Sequence, residues 1–175
     1  MPQIEAILAV RDFIERGGDV LLAIAFATAA MWALIYERVW YYLTTHRKEV
    51  ARVREAWRAR TDHSSWGAHQ IRRMLVSEVT LRLQQRLWPI ETLVKLAPML
   101  GLLGTVTGMI EVFDVMAING SGNARGMAAG VSKATLPTMA GMVAAITGML
   151  FIIQLRRFAQ DESERVADSL EMDQE

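Results

Sequence analysis

Three stretches of the chain are almost free of charge, and the charged residues gather between them. Val20–Tyr36 runs uncharged for about 17 residues, Leu96–Ile118 is apolar and glycine-rich, and Ala134–Leu155 runs uncharged for about 22 residues before Arg156 and Arg157. A helix crosses the hydrocarbon core of a bilayer in about 20 residues, so each stretch is long enough to span. The pattern predicts an all-α membrane protein with three transmembrane helices at 19–42, 93–118 and 133–156. Residues 1–18, 119–132 and 157–175 are then an N-terminal amphipathic segment, a connecting loop and a C-terminal helix or tail.

The segment 43–92 is too helical in character to be a plain loop. Glu37–Arg60 contains neither Gly nor Pro, so the first span is expected to continue as a helix up to a break at Thr61–Gly67. Ile71, Leu75, Val79, Leu83 and Leu87 then recur every four residues, an apolar stripe for a returning helix that packs on the outgoing one. Pro89 and Pro98 are expected to bend that helix. Gly17 and Gly18 are expected to hinge the N-terminal segment to the first span. The acid-rich tail, with Asp161, Glu162, Glu164, Asp168, Glu171, Asp173 and Glu175 against Arg165, reads as a solvated helical end.

Charge orients this framework. The formal net charge is +0, but 12 of the 19 basic residues, from Arg38 to Lys95, lie between the first two spans, and the second connection offers only Arg125 and Lys133. The positive-inside rule puts the long connection and the C-terminus in the cytoplasm and the N-terminus outside, with the first 16 residues as an interfacial helix. The basic helices suit anionic lipid headgroups. Interspersed acids such as Glu49 and Glu78, and the positive-inside bias itself, argue against nucleic acid. With no cysteine, disulfides and thiolate metal sites are excluded. His46, His63 and His69 lack ligand spacing, so neither a metal nor a cofactor is expected.

Candidate chemistry sits in the second and third spans. Ala97, Gly101, Gly104, Gly108 and Glu111 follow steps of four, three, four and three, and Ala134, Thr138, Gly141, Ala145 and Gly148 repeat them. Small residues on one stripe let helix backbones approach closely, which is how helices associate in lipid. These two spans should form an inner wall, while Leu21, Leu22, Ile24, Phe26 and Ile35 of the first suit contact with lipid. Glu111 and Asp114 stand inside the second span, where an unpaired carboxylate costs a few kcal/mol and faces a bundle interior or a water-filled path. Glu111 is either a pore-facing acid or the charge partner of Lys133, and Asp114 is a working acid or a solvated helix end. Thr105 and Thr138 either bond back to a carbonyl or line a polar lumen.

The strings APMLGLLGTVTGMIEVFD (Ala97–Asp114) and GVSKATLPTMAGMVAAITGMLFIIQLRRF (Gly130–Phe158) resemble the proton-channel family of MotA, TolQ and ExbB, and the short length most resembles ExbB-type subunits. The resemblance implies an inner-membrane homo-oligomer, a ring of five copies in which spans two and three enclose a pore. It implies an ExbD-like single-span partner inside the pore and a TonB-like protein energised by proton flow for outer-membrane import. It puts the family's pore threonines on Thr105 and Thr138. The chain departs from the pattern at Lys133, where relatives commonly carry glutamate, and at Glu111 and Asp114, which are not generally acidic there. The expected consequence is an acid moved to span two, with Lys133 either pairing with Glu111 or Asp114 or snorkelling to the interface.

Other classes are weaker. There is no phosphate-cradling GxxxxGK[ST], nucleophile elbow or HExxH pair, so no enzymatic activity is expected. Three unlike spans lack the internal repeat of a stand-alone transporter. A TolQ-like role in envelope integrity, a MotA-like stator and a passive membrane scaffold remain the alternatives.

Overall fold

The computed structural model describes residues 2–60, 62, 65–119 and 124–170, the side chains of 2–16, 47 and 119 excepted. Features expected at Thr61, His63, Ser64, residues 120–123 of the second connection and Glu171, Asp173 and Glu175 lie outside the described residues, as does the amphipathic face of the N-terminal segment.

The described residues form four helices: α1 (Pro2–Arg58), α2 (Trp66–Gln84), α3 (Leu87–Asn119) and α4 (Ala124–Ser169). Three helical stretches are long and apolar enough to cross a membrane, one each in α1, α3 and α4. α1 leaves helical geometry at Gly18, with φ 67° and ψ −168°, a region open essentially to glycine alone. Gly18 is one of the two glycines from which a hinge was expected.

Contacts divide the chain into two units. The first comprises Met1–Trp32 and Glu91–Met149. Its centre is the close approach of α3 and α4. Gly108 lies against the backbone of Ala134, Gly101 against Pro137 and Thr138, and Gly141 against the Ala97 carbonyl. The Thr138 hydroxyl donates to the Gly101 carbonyl at 3.0 Å, a bond between helices that glycine makes possible by leaving the carbonyl accessible. Pro98 and Pro137 are both accommodated inside their helices.

Two details differ from the expected stripes. In α4 the buried line runs through Ala134, Pro137, Gly141, Ala144 and Gly148, so Thr138 and Ala145 sit at its margin; in α3 it ends on Val112, which leaves Glu111 exposed. Steps of three and four are equally helical, and only the partner's position decides which neighbour turns inward. The first span is also less peripheral than expected. Leu21, Ile24, Ala27 and Met31 are buried, and Met31 reaches Gly148, whereas Leu22 and Phe26 stay exposed.

The second unit comprises Ala33–Ile90 and Leu150–Glu175. Here α2 packs on α1 as the apolar stripe predicted, with Trp57, Ala68 and Leu170 forming a core flanked by Val53, Ile71, Leu75 and Val76. Leu170 brings in the end of α4. The acidic stretch is therefore no solvated end as far as residue 170: Ala159, Val166 and Leu170 are buried, and Arg72 donates to the carbonyls of Ala167 and Leu170 at 2.7 and 2.8 Å. Asp161, Glu164 and Asp168 are exposed on the opposite face, as on an amphipathic helix, whereas Glu162 turns toward the buried His46 of α1.

α2 and α3 are separate helices, and the break falls at Gln85–Arg86 rather than at a proline. Arg86 takes φ 64°, and Pro89 falls in the first turn of α3, where its missing N–H is no loss. Side chains of α1 satisfy the terminal carbonyls of α2: Arg38 donates to those of Arg82 and Leu83, and the Tyr42 hydroxyl to that of Leu83 at 2.8 Å. The Arg38 guanidinium is buried, 4.6 and 4.8 Å from the ring centres of Tyr41 and Tyr42, so a helix C-terminus and two aromatic faces compensate its charge.

Candidate functional site in the α3–α4 wall

Glycine packing determines where the charges go. Because Gly108 presses on Ala134, the next turn of α3 brings Glu111 level with Lys133, and the ammonium donates to the carboxylate at 2.6 Å. Both side chains remain partly open, at 48% exposure for Glu111 and 37% for Lys133. The pair opens on a cleft of about 550 Å³ shared with Val115, Gly126, Ala129, Gly130 and Ser132. Gly126 and Ser132 had no place in the sequence-based site, because a lining residue of a loop-proximal cleft carries no periodic signal.

A third helix reaches the same point. A β-carbon added to Gly18 would lie 2.8 Å from Lys133 Cε and 3.5 Å from Nζ, so the stem of the lysine rests on the kinked backbone of α1. Gly18 thus leaves room for the lysine and supplies the bend in α1.

The remaining candidates are distributed around this pair. Thr107, Glu111 and Asp114, at steps of four and three, share the exposed face of α3, and Asp114 makes no ion pair among the described residues. Thr105 donates to the Leu102 carbonyl at 2.7 Å on its own helix, and Thr138 to Gly101 across the helix pair. Each hydroxyl has thereby placed its single hydrogen and keeps lone pairs to accept from water or a partner. α3 also exposes Leu102, Val106, Ile110 and Phe113, which by helix geometry turn away from Glu111, and α4 exposes Met139, Val143 and Ile146. Apolar area on this scale belongs against lipid or protein. No group of three or more His, Asp or Glu side chains suited to a metal occurs among the described residues.

In the second unit, Glu49 accepts from the Tyr41 hydroxyl and from Arg82, each at 2.6 Å. Burial alone would raise the Glu49 pKa, but these two hydrogen bonds and the charges of Arg82 and His46 outweigh it and hold the carboxyl below its ordinary value. Glu78 shares Arg82 at 2.8 Å.

Comparison with known proteins decides what kind of wall this is. Residues 45–168 match the MotA/TolQ/ExbB proton channel family, a span that takes in the glycine contacts, Thr105, Glu111, Asp114, Lys133 and Thr138. The chain belongs to this family. Two Synechocystis proteins are similar in part. The chain is 39% identical over 89 residues to biopolymer transport protein ExbB-like 1, covering 47% of this chain and 35% of that one. It is 37% identical over 76 residues to ExbB-like 3, covering 39% and 36%. The chain thus spans about a third of the length of these relatives. As a family member with three helices long and apolar enough to cross a membrane, it is a multi-pass membrane protein.

Proposed function

We propose that copies of this chain assemble as a ring of five in a bacterial inner membrane, with α3 and α4 forming the wall of a central pore and an ExbD-like single-span protein inside it. Protons crossing the ring drive motion of that partner, which energises a TonB-like protein for outer-membrane import. The chain lies with its N-terminus in the periplasm and with the α1–α2 hairpin and C-terminus in the cytoplasm, the orientation that its basic residues favour.

The Glu111–Lys133 pair carries this reading. An acid and a base held together inside a glycine-packed wall need water or each other, and a proton arriving at Glu111 releases Lys133. An exposed ion pair contributes about 0.2–1 kcal/mol. One elementary charge falling through about 100 mV releases roughly 2.3 kcal/mol, enough to open such a pair and shift packing around it. Asp114, on the same face, offers a second station, and the oxygens of Thr105 and Thr138 accept hydrogen bonds along the lumen.

Reconstitution with a single-span partner in liposomes tests the proposal. Under an imposed pH gradient, Glu111→Gln reduces proton uptake by more than tenfold while the purified complex keeps its mass. Unchanged uptake in that variant would reduce the chain to a scaffold, and a monomeric mass for the wild type would remove the pore.

A further inference from the structure

The second unit contains a cleft of about 550 Å³ along α1 and α4, and its lining changes character from one end to the other. Val39, Leu43, Phe151 and Leu155 make one end mainly apolar, with Gln154 a polar side chain among them; His46, Glu162 and Arg165 make the other end charged or polar. Both helices run from apolar to charged with rising residue number, so the gradient lies along the cleft. Tyr36 and Trp40, exposed and with tilted rings 6.2 Å apart centre to centre, stand on α1 beside the apolar end, the residue types that mark a membrane–water interface.

The polar end is incompletely satisfied. His46 is 2% exposed, and its Nε2, although 3.2 Å from Glu162 Oε1, has no hydrogen-bond partner. Glu162 is also 3.4 Å from Arg165, whose side chain is mostly in solvent. Two donors and one carboxylate thus face one small volume. A purely anionic head would meet Glu162, and a purely cationic one would meet Arg165. A head with both charges answers each: its phosphate accepts from Arg165 and the imidazole, and its ammonium donates to Glu162.

We propose that this cleft binds a membrane aminophospholipid, with an acyl chain along Val39, Leu43 and Leu155 and the phosphoethanolamine head among His46, Glu162 and Arg165. Such a lipid would tie α1 to α4 at the membrane surface. This site is independent of the proton path, and lipid retention is read without any ion gradient.

The test is native mass spectrometry of the complex purified in mild detergent from a membrane of known lipid content. Phosphatidylethanolamine should be retained over phosphatidylglycerol at least about tenfold above their ratio in the membrane, the scale of one hydrogen bond to a charged group. Glu162→Gln should abolish that preference. Leu43→Trp, at an exposed position that leaves the core intact, should release the lipid by filling the chain's path. Soluble O-phosphoethanolamine should not displace it. Retention in the membrane's own ratio, equal retention by Leu43→Trp, a preference that survives Glu162→Gln, or displacement by the soluble head would each overturn the proposal.

Discussion

Adding one methyl group at residue 141 should force α3 and α4 apart. A β-carbon on Gly141 would lie 2.5 Å from the Ala97 carbonyl oxygen, about 0.9 Å inside the 3.4 Å at which ordinary contact begins, and 3.3 Å from the Cα of Gly101. Both obstacles are backbone, so no side chain can rotate away; α3 and α4 must separate. Overpacking of this kind costs about 1–3 kcal/mol. Separation also weakens the Thr138–Gly101 bond, about 0.6 kcal/mol for an average interhelical bond in a membrane. Replacing a helical glycine with alanine returns about 0.5–1 kcal/mol of backbone entropy. The terms sum to a net destabilisation of about 1–3 kcal/mol for Gly141→Ala. Reversible unfolding in mixed detergent micelles, followed by circular dichroism, measures it. Gly67→Ala is the control: its nearest neighbour would be Ser65 Oγ at 3.5 Å, so it should be neutral or stabilising by up to about 1 kcal/mol. Equal stability of Gly141→Ala and wild type would refute glycine-mediated backbone contact as what holds α3 on α4.

Other outcomes follow from the same geometry. Gly18→Ala should destabilise by about 1–3 kcal/mol because its backbone conformation excludes a β-carbon, and should raise the rate of Lys133 labelling by an amine-reactive reagent as the lysine loses its seat. Trp57→Ala should cost about 3–5 kcal/mol by emptying the core it shares with Ala68 and Leu170, read as the unfolding midpoint of the second unit. Glu49 has a lowered pKa in the fold, so the unfolded chain binds the extra proton: its stabilisation is complete above the ordinary carboxylate value of 4.5 and fades as pH falls through the lower folded value. The stability gap between wild type and Glu49→Gln should therefore be flat from pH 8 to about 5 and close in more acid solution; a gap that opens toward low pH would contradict the assignment.

The three spans and the α1–α2 pairing were legible because length and apolar periodicity act locally. The glycine steps likewise announced that α3 and α4 touch, and the departure from the family pattern offered Glu111 or Asp114 as a partner for Lys133, of which Glu111 is the one in contact. The phase of the stripes was not legible. Whether Pro137 or Thr138 turns inward depends on where the Gly101 carbonyl lies, which is a tertiary fact. The break at Gln85–Arg86 was hidden for a similar reason: Pro89 is the local punctuation, but Arg38 and Tyr42, more than 40 residues away in sequence, cap the end of α2. The buried face of the acidic stretch was obscured by its charge, since seven acids outweigh Ala159, Val166 and Leu170 in any compositional reading. The Lys133 seat on Gly18 joins residues from different spans and leaves no motif.

The most direct test of the central claim, that Glu111 and Lys133 act as one coupled unit in proton passage, is a double-mutant cycle on proton uptake in liposomes that hold the chain and a single-span partner. Glu111→Ala and Lys133→Ala should each impair uptake, and the double variant should be no worse than the more impaired single, because each substitution already breaks the pair. Losses that multiply independently in the double variant would contradict the pairing and with it the proposed path.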